Sequence, residues 1–262
     1  MNIRNLIASL AIAIPFAGAV QAQDKPLKVG VTAGPHAQIL DVVKKVAERD
    51  GLKLQVIEFN DYVQPNAALA NGDLDINSYQ HQPYLDTTVK DRGYKLVSIA
   101  QTVTFPIGLY SKKVKTLDQI PSGGRIAIPN DPTNGGRALL LLESKGLIKL
   151  KPDAGLKATP IDIVDNPKKL KIVELDAAQL PRALDEVDAA AVNTNYALPA
   201  GLVPTRDAIA LEDPRSPYAN VIAVRAQDKD NPAYKKFVKA YHSDEVKQFI
   251  AKEFKGSLIP AW

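Results

Sequence analysis

Apolar residues along this chain recur with two periods that take turns. Leu27-Lys28-Val29-Gly30-Val31-Thr32 alternates apolar with small or polar positions, the period-two pattern of a strand. Ile39, Val42, Val43, Val46 and Ala47 then fall on one helical face, and Gly51 closes that stretch. Leu52–Phe59 reads as a second strand, so the chain opens strand–helix–strand and predicts a parallel sheet covered by helices. A short helix from Val63 carries Ala67, Ala68 and Ala70 to a C-cap at Gly72. Pro83 suits the first turn of a further helix, which Gly93 closes.

Leu96–Ile99 and Val103–Tyr110 read as strands, the second interrupted by Phe105-Pro106, which suits an edge or a crossing better than a central strand. A second series follows: a strand at Arg125–Ile128, a helix after Asn134, a strand at Lys171–Leu175, a helix around Leu180–Leu184 and a strand at Ala189–Asn193. Asn220–Val224 is another strand, and Pro232–Tyr241 and Asp244–Phe254 are helices with no sheet of their own. The expected fold is α/β: two lobes with mixed, mainly parallel sheets and a ligand cleft between them, able to close by a hinge. Residues 23–104 plus 225–262 form the expected first lobe and 105–224 the second, with crossings near 103–110 and 220–224.

The first 22 residues read differently. Arg4, an apolar run from Leu6 to Val20 and the small-residue site Val20-Gln21-Ala22 predict a signal peptide cleaved after Ala22 and a periplasmic mature protein. The formal net charge of +4 is too mild to argue for nucleic acid. No cysteine is present, which excludes disulfides and thiolate chemistry and predicts no lipid anchor on an N-terminal cysteine.

The chemistry concentrates in two windows. Pro129-Asn130-Asp131-Pro132-Thr133-Asn134-Gly135-Gly136-Arg137 joins a strand to a helix, with Thr133 or Asn134 as expected N-cap. Free N–H groups at such a helix start make an anion seat, and Arg137 in the first turn makes most sense facing something negative. A carboxylate matched two-for-two by the guanidinium is the simplest partner; a surface pair with Asp131 is the alternative. In the second window Tyr79, His81 and Tyr84 crowd three rings onto a strand end and a helix start, facing a crevice or packing under the helix. Nucleotide-binding, zinc-protease and hydrolase motifs are missing, and His36, His81 and His242 lack metal-ligand spacing, so no enzyme activity, metal or cofactor is expected.

Several longer blocks carry a resemblance: Gly34-Pro35-His36, Phe59-Asn60-Asp61-Tyr62-Val63-Gln64-Pro65-Asn66, Gln80-His81-Gln82-Pro83-Tyr84-Leu85, Ile128 through Asn134, Asn193-Thr194-Asn195-Tyr196-Ala197 and Ser216-Pro217-Tyr218-Ala219-Asn220. Together they resemble the methionine-binding proteins of bacterial ABC importers, the MetQ/NlpA lipoprotein family. The resemblance implies a two-lobe periplasmic binding protein that takes L- or D-methionine or a close analogue to an inner-membrane permease powered by an ATPase. It implies Arg137 as carboxylate ligand, Asn193 and Asn220 as polar contacts, and Tyr62, His81 and Tyr84 as members of an aromatic cage, with Tyr79 where the family usually has Phe and Phe105 as a further aromatic. Sulfur–aromatic contact suits a thioether, and asparagine carbonyls suit an ammonium. Two departures stand out: the family's lipidated cysteine is absent, and the Tyr79 hydroxyl needs a partner or shifts preference toward a more polar amino acid. A periplasmic enzyme on the same frame, with His81 as base, and an adhesin with an incidental cleft are the competing classes.

Overall fold

The computed structural model describes residues 25–262; the expected signal peptide, 1–22, lies outside them. The first sheet begins with β1 (Leu27–Thr32), flanked on either side by β2 (Leu54–Phe59) and β3 (Ile76–Asn77), both parallel to it. Helices α1 (Pro35–Arg49) and α2 (Gln64–Asn71) make the crossovers, and α3 (Gln82–Arg92) leads on to β4 (Leu96–Thr104). The chain then passes to a second sheet through β5 (Gly108–Tyr110), β6 (Arg125–Pro129), α4 (Asn134–Ser144), a small hairpin of β7 (Lys149–Leu150) and β8 (Ile163–Asp165), β9 (Lys171–Leu175), α5 (Leu180–Ala183), β10 (Ala189–Val192), α6 (Thr194–Ala197), α7 (Pro204–Asp207) and β11 (Ala210–Leu211). It returns to the first sheet as β12 (Ala219–Arg225), followed by α8 (Pro232–Tyr241), α9 (Asp244–Phe254) and β13 (Ile259–Pro260). The strand orders are β13-β4-β12-β3-β1-β2 and β11-β5-β10-β6-β9.

Two details differ from the sequence expectation. Val103–Tyr110 is not one interrupted strand: β4 ends at Thr104 and β5 begins at Gly108, because Pro106 has no N–H to offer a ladder. The second crossing falls at residues 212–218, ahead of Asn220–Val224, since β12 pairs antiparallel with β4 and β3 in the first sheet. Its run Val221-Ile222-Ala223-Val224 is wholly buried, as a central strand covered on both faces requires. Antiparallel pairing is also more extensive than βαβ patterning implies, because β4 and β12 leave for and return from the second sheet in opposite directions.

Each sheet is covered on both faces. Ile39, Leu40 and Val43 of α1 pack with Phe237 and Tyr241 of α8 and Val246 and Ile250 of α9 against one face of the first sheet, which gives the two C-terminal helices their place. Leu69, Leu74 and Leu85 cover the other face. In the second sheet Leu139 and Leu142 of α4 lie over Ile126 and Ile128, while Leu180, Leu184 and Val187 fill the opposite side with Val192. Among the described residues no helix is long and apolar enough to cross a membrane.

The start of α4 is pressed against the loop that precedes β8. A Cβ at Gly136 would meet the Leu156 carbonyl oxygen at 2.5 Å and the Ala158 backbone at 3.1 Å. Gly136→Ala is therefore expected to lower stability by about 1–3 kcal/mol, the usual effect of overpacking. Urea denaturation measures it, and an unchanged midpoint would show that the loop yields without cost.

Candidate functional site

Five loops meet where the parallel strands of the two sheets end. From the first sheet, β1 delivers His36, β2 delivers Tyr62, and β3 delivers Tyr79, Gln80 and His81. From the second, β6 delivers Asn134 and Arg137, and β10 delivers Asn193, Thr194 and Asn195. Carboxyl ends of parallel strands are where open α/β sheets hold ligands. The cavity between them is small. All eight residues singled out from the sequence line it: Tyr62, Tyr79, His81, Tyr84, Phe105, Arg137, Asn193 and Asn220.

Arg137 is buried, 3% exposed, but its surroundings differ from both sequence expectations. The two-for-two carboxylate is supplied from within the chain: Nε donates to Oε1 of Glu212 at 2.8 Å and Nη2 donates to Oε2. Nη2 also donates to the Phe105 carbonyl at 2.8 Å, and the guanidinium lies 4.3 Å over the Tyr218 ring. Only Nη1 makes no hydrogen bond among the described residues. The anion seat at the start of α4 is filled as well. Neither Thr133 nor Asn134 caps the helix with its side chain; Oδ1 of Asp131 accepts from the N–H groups of Thr133 and Asn134 at 3.2 and 2.9 Å. Asp131 reaches forward over Pro132, which turns the chain there.

An amide relay runs from that cap into the cavity. The Asn134 side chain donates through Nδ2 to the Asp131 carboxylate, which leaves its Oδ1 to accept from Nδ2 of Asn193 at 2.9 Å and from Nε2 of His81 at 3.1 Å. The Tyr84 N–H donates to Nδ1 of His81 at 3.1 Å, which fixes the ring as the Nε2–H tautomer. Burial, with repulsion from Arg137 second, lowers the His81 pKa to about 3. His36, stacked on Phe105 at 4.3 Å between centroids, is lowered to about 3 by burial alone, and its Nε2 lies 3.5 Å from Nδ2 of Asn220. Two buried amide atoms on cavity-lining residues have no partner among the described residues: the acceptor Oδ1 of Asn193 and the donor Nδ2 of Asn195. With both histidines neutral, Arg137 is the one fully charged side chain on the cavity wall among the described residues.

Opposite Arg137 the rings of Tyr62, Tyr79 and Tyr84 stand 6.1 Å apart, centroid to centroid, in tilted and edge-on pairs. Their hydroxyls are all engaged within the protein. Tyr79 and Tyr84 donate to the Tyr62 carbonyl at 3.0 and 2.9 Å, and Tyr62 donates to Oδ1 of Asn195 at 2.6 Å. Burial raises the pKa of all three phenols, which keeps them neutral donors. The Tyr79 hydroxyl expected to change the cage's polarity therefore has a backbone partner and adds no open polar group. The Tyr62–Asn195 and His81–Asn134 bonds, with Tyr196 donating to the Asn60 carbonyl at 3.1 Å, join the two halves directly, so the cleft is closed.

Sequence reasoning assigned no ligand-binding role to His36, Gln80, Asn134, Thr194 or Asn195, which line the cavity, or to Glu212 and Tyr218 behind it. Asn134 was legible only as a cap, and Glu212 pairs across 75 positions with no local signal. Among the described residues no cluster of His, Cys, Asp or Glu is placed to hold a metal ion.

Two α/β lobes closed over a small cavity, with an arginine on one wall and a cage of rings on the other, define a two-lobe substrate-binding protein. The chain belongs to the NlpA lipoprotein family, whose model matches residues 27–262. It is 52% identical over 262 residues to the D-methionine-binding lipoprotein MetQ of Salmonella typhimurium, covering 98% of this chain and 95% of that one. It is 47% identical to outer membrane lipoprotein 3 of Mannheimia haemolytica, each chain covered in full. Among solved structures, a nutrient-binding protein from Burkholderia cenocepacia bound to methionine matches with a TM-score of 0.89 and 63% identity, covering 90% of this chain and 100% of that one. Unlike a lipoprotein joined to its lipid through cysteine, these 262 residues contain no cysteine.

The two buried histidines give the fold a pH signature. Each titrates near 6.5 when exposed and only near 3 here, so falling pH protonates the unfolded chain first. Their contribution is complete above about pH 6.5 and declines toward pH 3, by up to about 1.4 kcal/mol per pH unit for each ring. His81→Gln removes one of the two. Its Tm is expected to drop less than that of the unsubstituted protein between about pH 7 and pH 4.5; equal drops would contradict a neutral, buried His81.

Proposed function

We propose that this protein is the extracytoplasmic substrate-binding component of an ABC importer and that its cleft encloses methionine, L or D, or a close amino-acid analogue. The observation that carries the reading is a pair of groups without a partner among the described residues, Nη1 of Arg137 and Oδ1 of Asn193, on residues that line one small cavity together with a cage of tyrosines. A carboxylate suits the first, an ammonium the second, and a flexible thioether the cage. In this reading Asn220 and Asn195 complete the polar end, while Tyr62, Tyr79, His81, Tyr84 and Phe105 enclose the tail. The relatives named for methionine and the methionine-bound neighbour support the same choice.

Residues 25–104 with 219–262 act as one lobe and 107–211 as the other, hinged at the two crossings. Delivery is to a membrane permease with its ATPase, in the periplasm, after cleavage of the signal peptide behind Ala22. An enzyme using His81 as base is disfavoured, because Nδ1 already accepts the Tyr84 N–H and Nε2 donates to Asn134. A more polar amino acid is disfavoured by the engaged Tyr79 hydroxyl.

Ligand-stripped protein is expected to gain about 2.7 kcal/mol of stability when methionine is added at a hundred times its Kd. Arg137→Ala is expected to abolish that gain. It also destabilises the unliganded protein by about 3–5 kcal/mol, because Glu212 is left buried and unpaired. Differential scanning calorimetry with a panel of amino acids reads both effects. No shift with any amino acid, or an undiminished shift in Arg137→Ala, would refute the reading.

A further inference from the structure

Glu212 does not line the cavity, yet it governs what the cavity wall presents. It pairs with Arg137 through both carboxylate oxygens, and its side chain is only 10% exposed. It also fastens the crossings together: its N–H donates to the Ile107 carbonyl at 3.0 Å, and its Oε2 accepts from the Ile107 N–H at 3.3 Å. Phe105, whose carbonyl receives Nη2 of Arg137, belongs to the same first crossing, and Tyr218, which lies under the guanidinium, belongs to the second. The arginine thus has its Nε and Nη2 donors turned toward the hinge and one nitrogen, Nη1, without a partner among the described residues, on a side chain that lines the cavity.

We propose that Glu212 is the specificity-determining residue of the cleft: by cancelling the charge of Arg137 and holding its fork on the two crossings, it makes the site select a net-neutral zwitterion over an anion bearing the same carboxylate. This rests on the reading that an amino acid occupies the cleft. A bare buried guanidinium would welcome any carboxylate, since each would neutralise it. Beside Glu212 the guanidinium is already neutralised. A ligand with a carboxylate and no ammonium then adds an unbalanced negative charge to a closed, poorly solvated space. A zwitterion adds none, and its ammonium meets the unpartnered Oδ1 of Asn193. The same logic disfavours a ligand that keeps the ammonium and loses the carboxylate.

Isothermal titration calorimetry with three ligands tests this: methionine, 4-(methylthio)butanoate, which is methionine without its amino group, and methioninol, which lacks the carboxylate. The unsubstituted protein is expected to bind the two singly charged analogues at least about 100-fold more weakly than methionine and within about tenfold of each other. A 100-fold preference for the anion over the cation overturns the proposal without any variant. In Glu212→Gln, which keeps the shape and removes the charge, the gap between methionine and the butanoate should shrink by about tenfold or more, whereas Glu212→Asp should keep it. A residue that merely supported the fold would weaken all three ligands alike, and an unchanged ratio in Glu212→Gln overturns the proposal. Unsubstituted protein that binds none of the three refutes the amino-acid reading itself, and the charge rule with it.

Discussion

The buried pair between Arg137 and Glu212 is the constraint from which the rest of the site follows. A guanidinium at the first turn of a helix is opposed by the helix dipole, and one that is also buried needs a full set of acceptors. The chain supplies them from three places distant in sequence: the Phe105 carbonyl at the first crossing, Glu212 at the entry to the second, and the face of Tyr218 within it. Satisfying one side chain thereby fixes where β4 hands over to β5 and where β11 hands back to β12. Hinge and ligand wall are built on the same residue, so any ligand that engages Nη1 of Arg137 acts on the segments about which the lobes turn.

A second, neutral layer complements that charged one. Asp131 caps α4, and its carboxylate orients Asn134, which in turn orients Asn193 and His81 from opposite lobes. Behind the His81 strand a buried amide cluster holds the segment rigid: Asn66 and Gln80 exchange hydrogen bonds at 2.7 Å, and Asn77 bonds to both. A fully satisfied polar network fixes side-chain direction more strictly than apolar packing does. The unpartnered amide atoms, Oδ1 of Asn193 and Nδ2 of Asn195, therefore belong to residues held at defined positions on the cavity wall. The tyrosine hydroxyls obey the same economy, each tied to a carbonyl or amide so that the cage shows its ring surfaces.

Much of this was legible in the sequence because it is local. Helix faces, glycine caps at Gly72 and Gly93 and the βαβ opening follow from patterns a few residues long. The eight lining residues singled out from the sequence lie at or near strand ends, where turn chemistry and rings stand out. What escaped was non-local. Glu212 lies in no motif or periodic pattern, and only the crossing geometry brings it to Arg137. Thr133 does hold the N-cap position, one of the two the sequence offered, but the capping carboxylate comes from Asp131, which only the backbone turn brings to the helix start. Strand β12 was placed on the wrong side of the crossing because a continuous apolar run does not say which sheet will bury it.

The most direct measurement is a crystal structure of the complex with methionine. The account predicts a ligand carboxylate oxygen within hydrogen-bond distance of Nη1 of Arg137, the ammonium on Oδ1 of Asn193, the side chain among Tyr62, Tyr79 and Tyr84, and the Glu212 pair intact. A carboxylate that displaces Glu212 from Nε and Nη2, or a ligand bound with its polar end among the tyrosines, would contradict it.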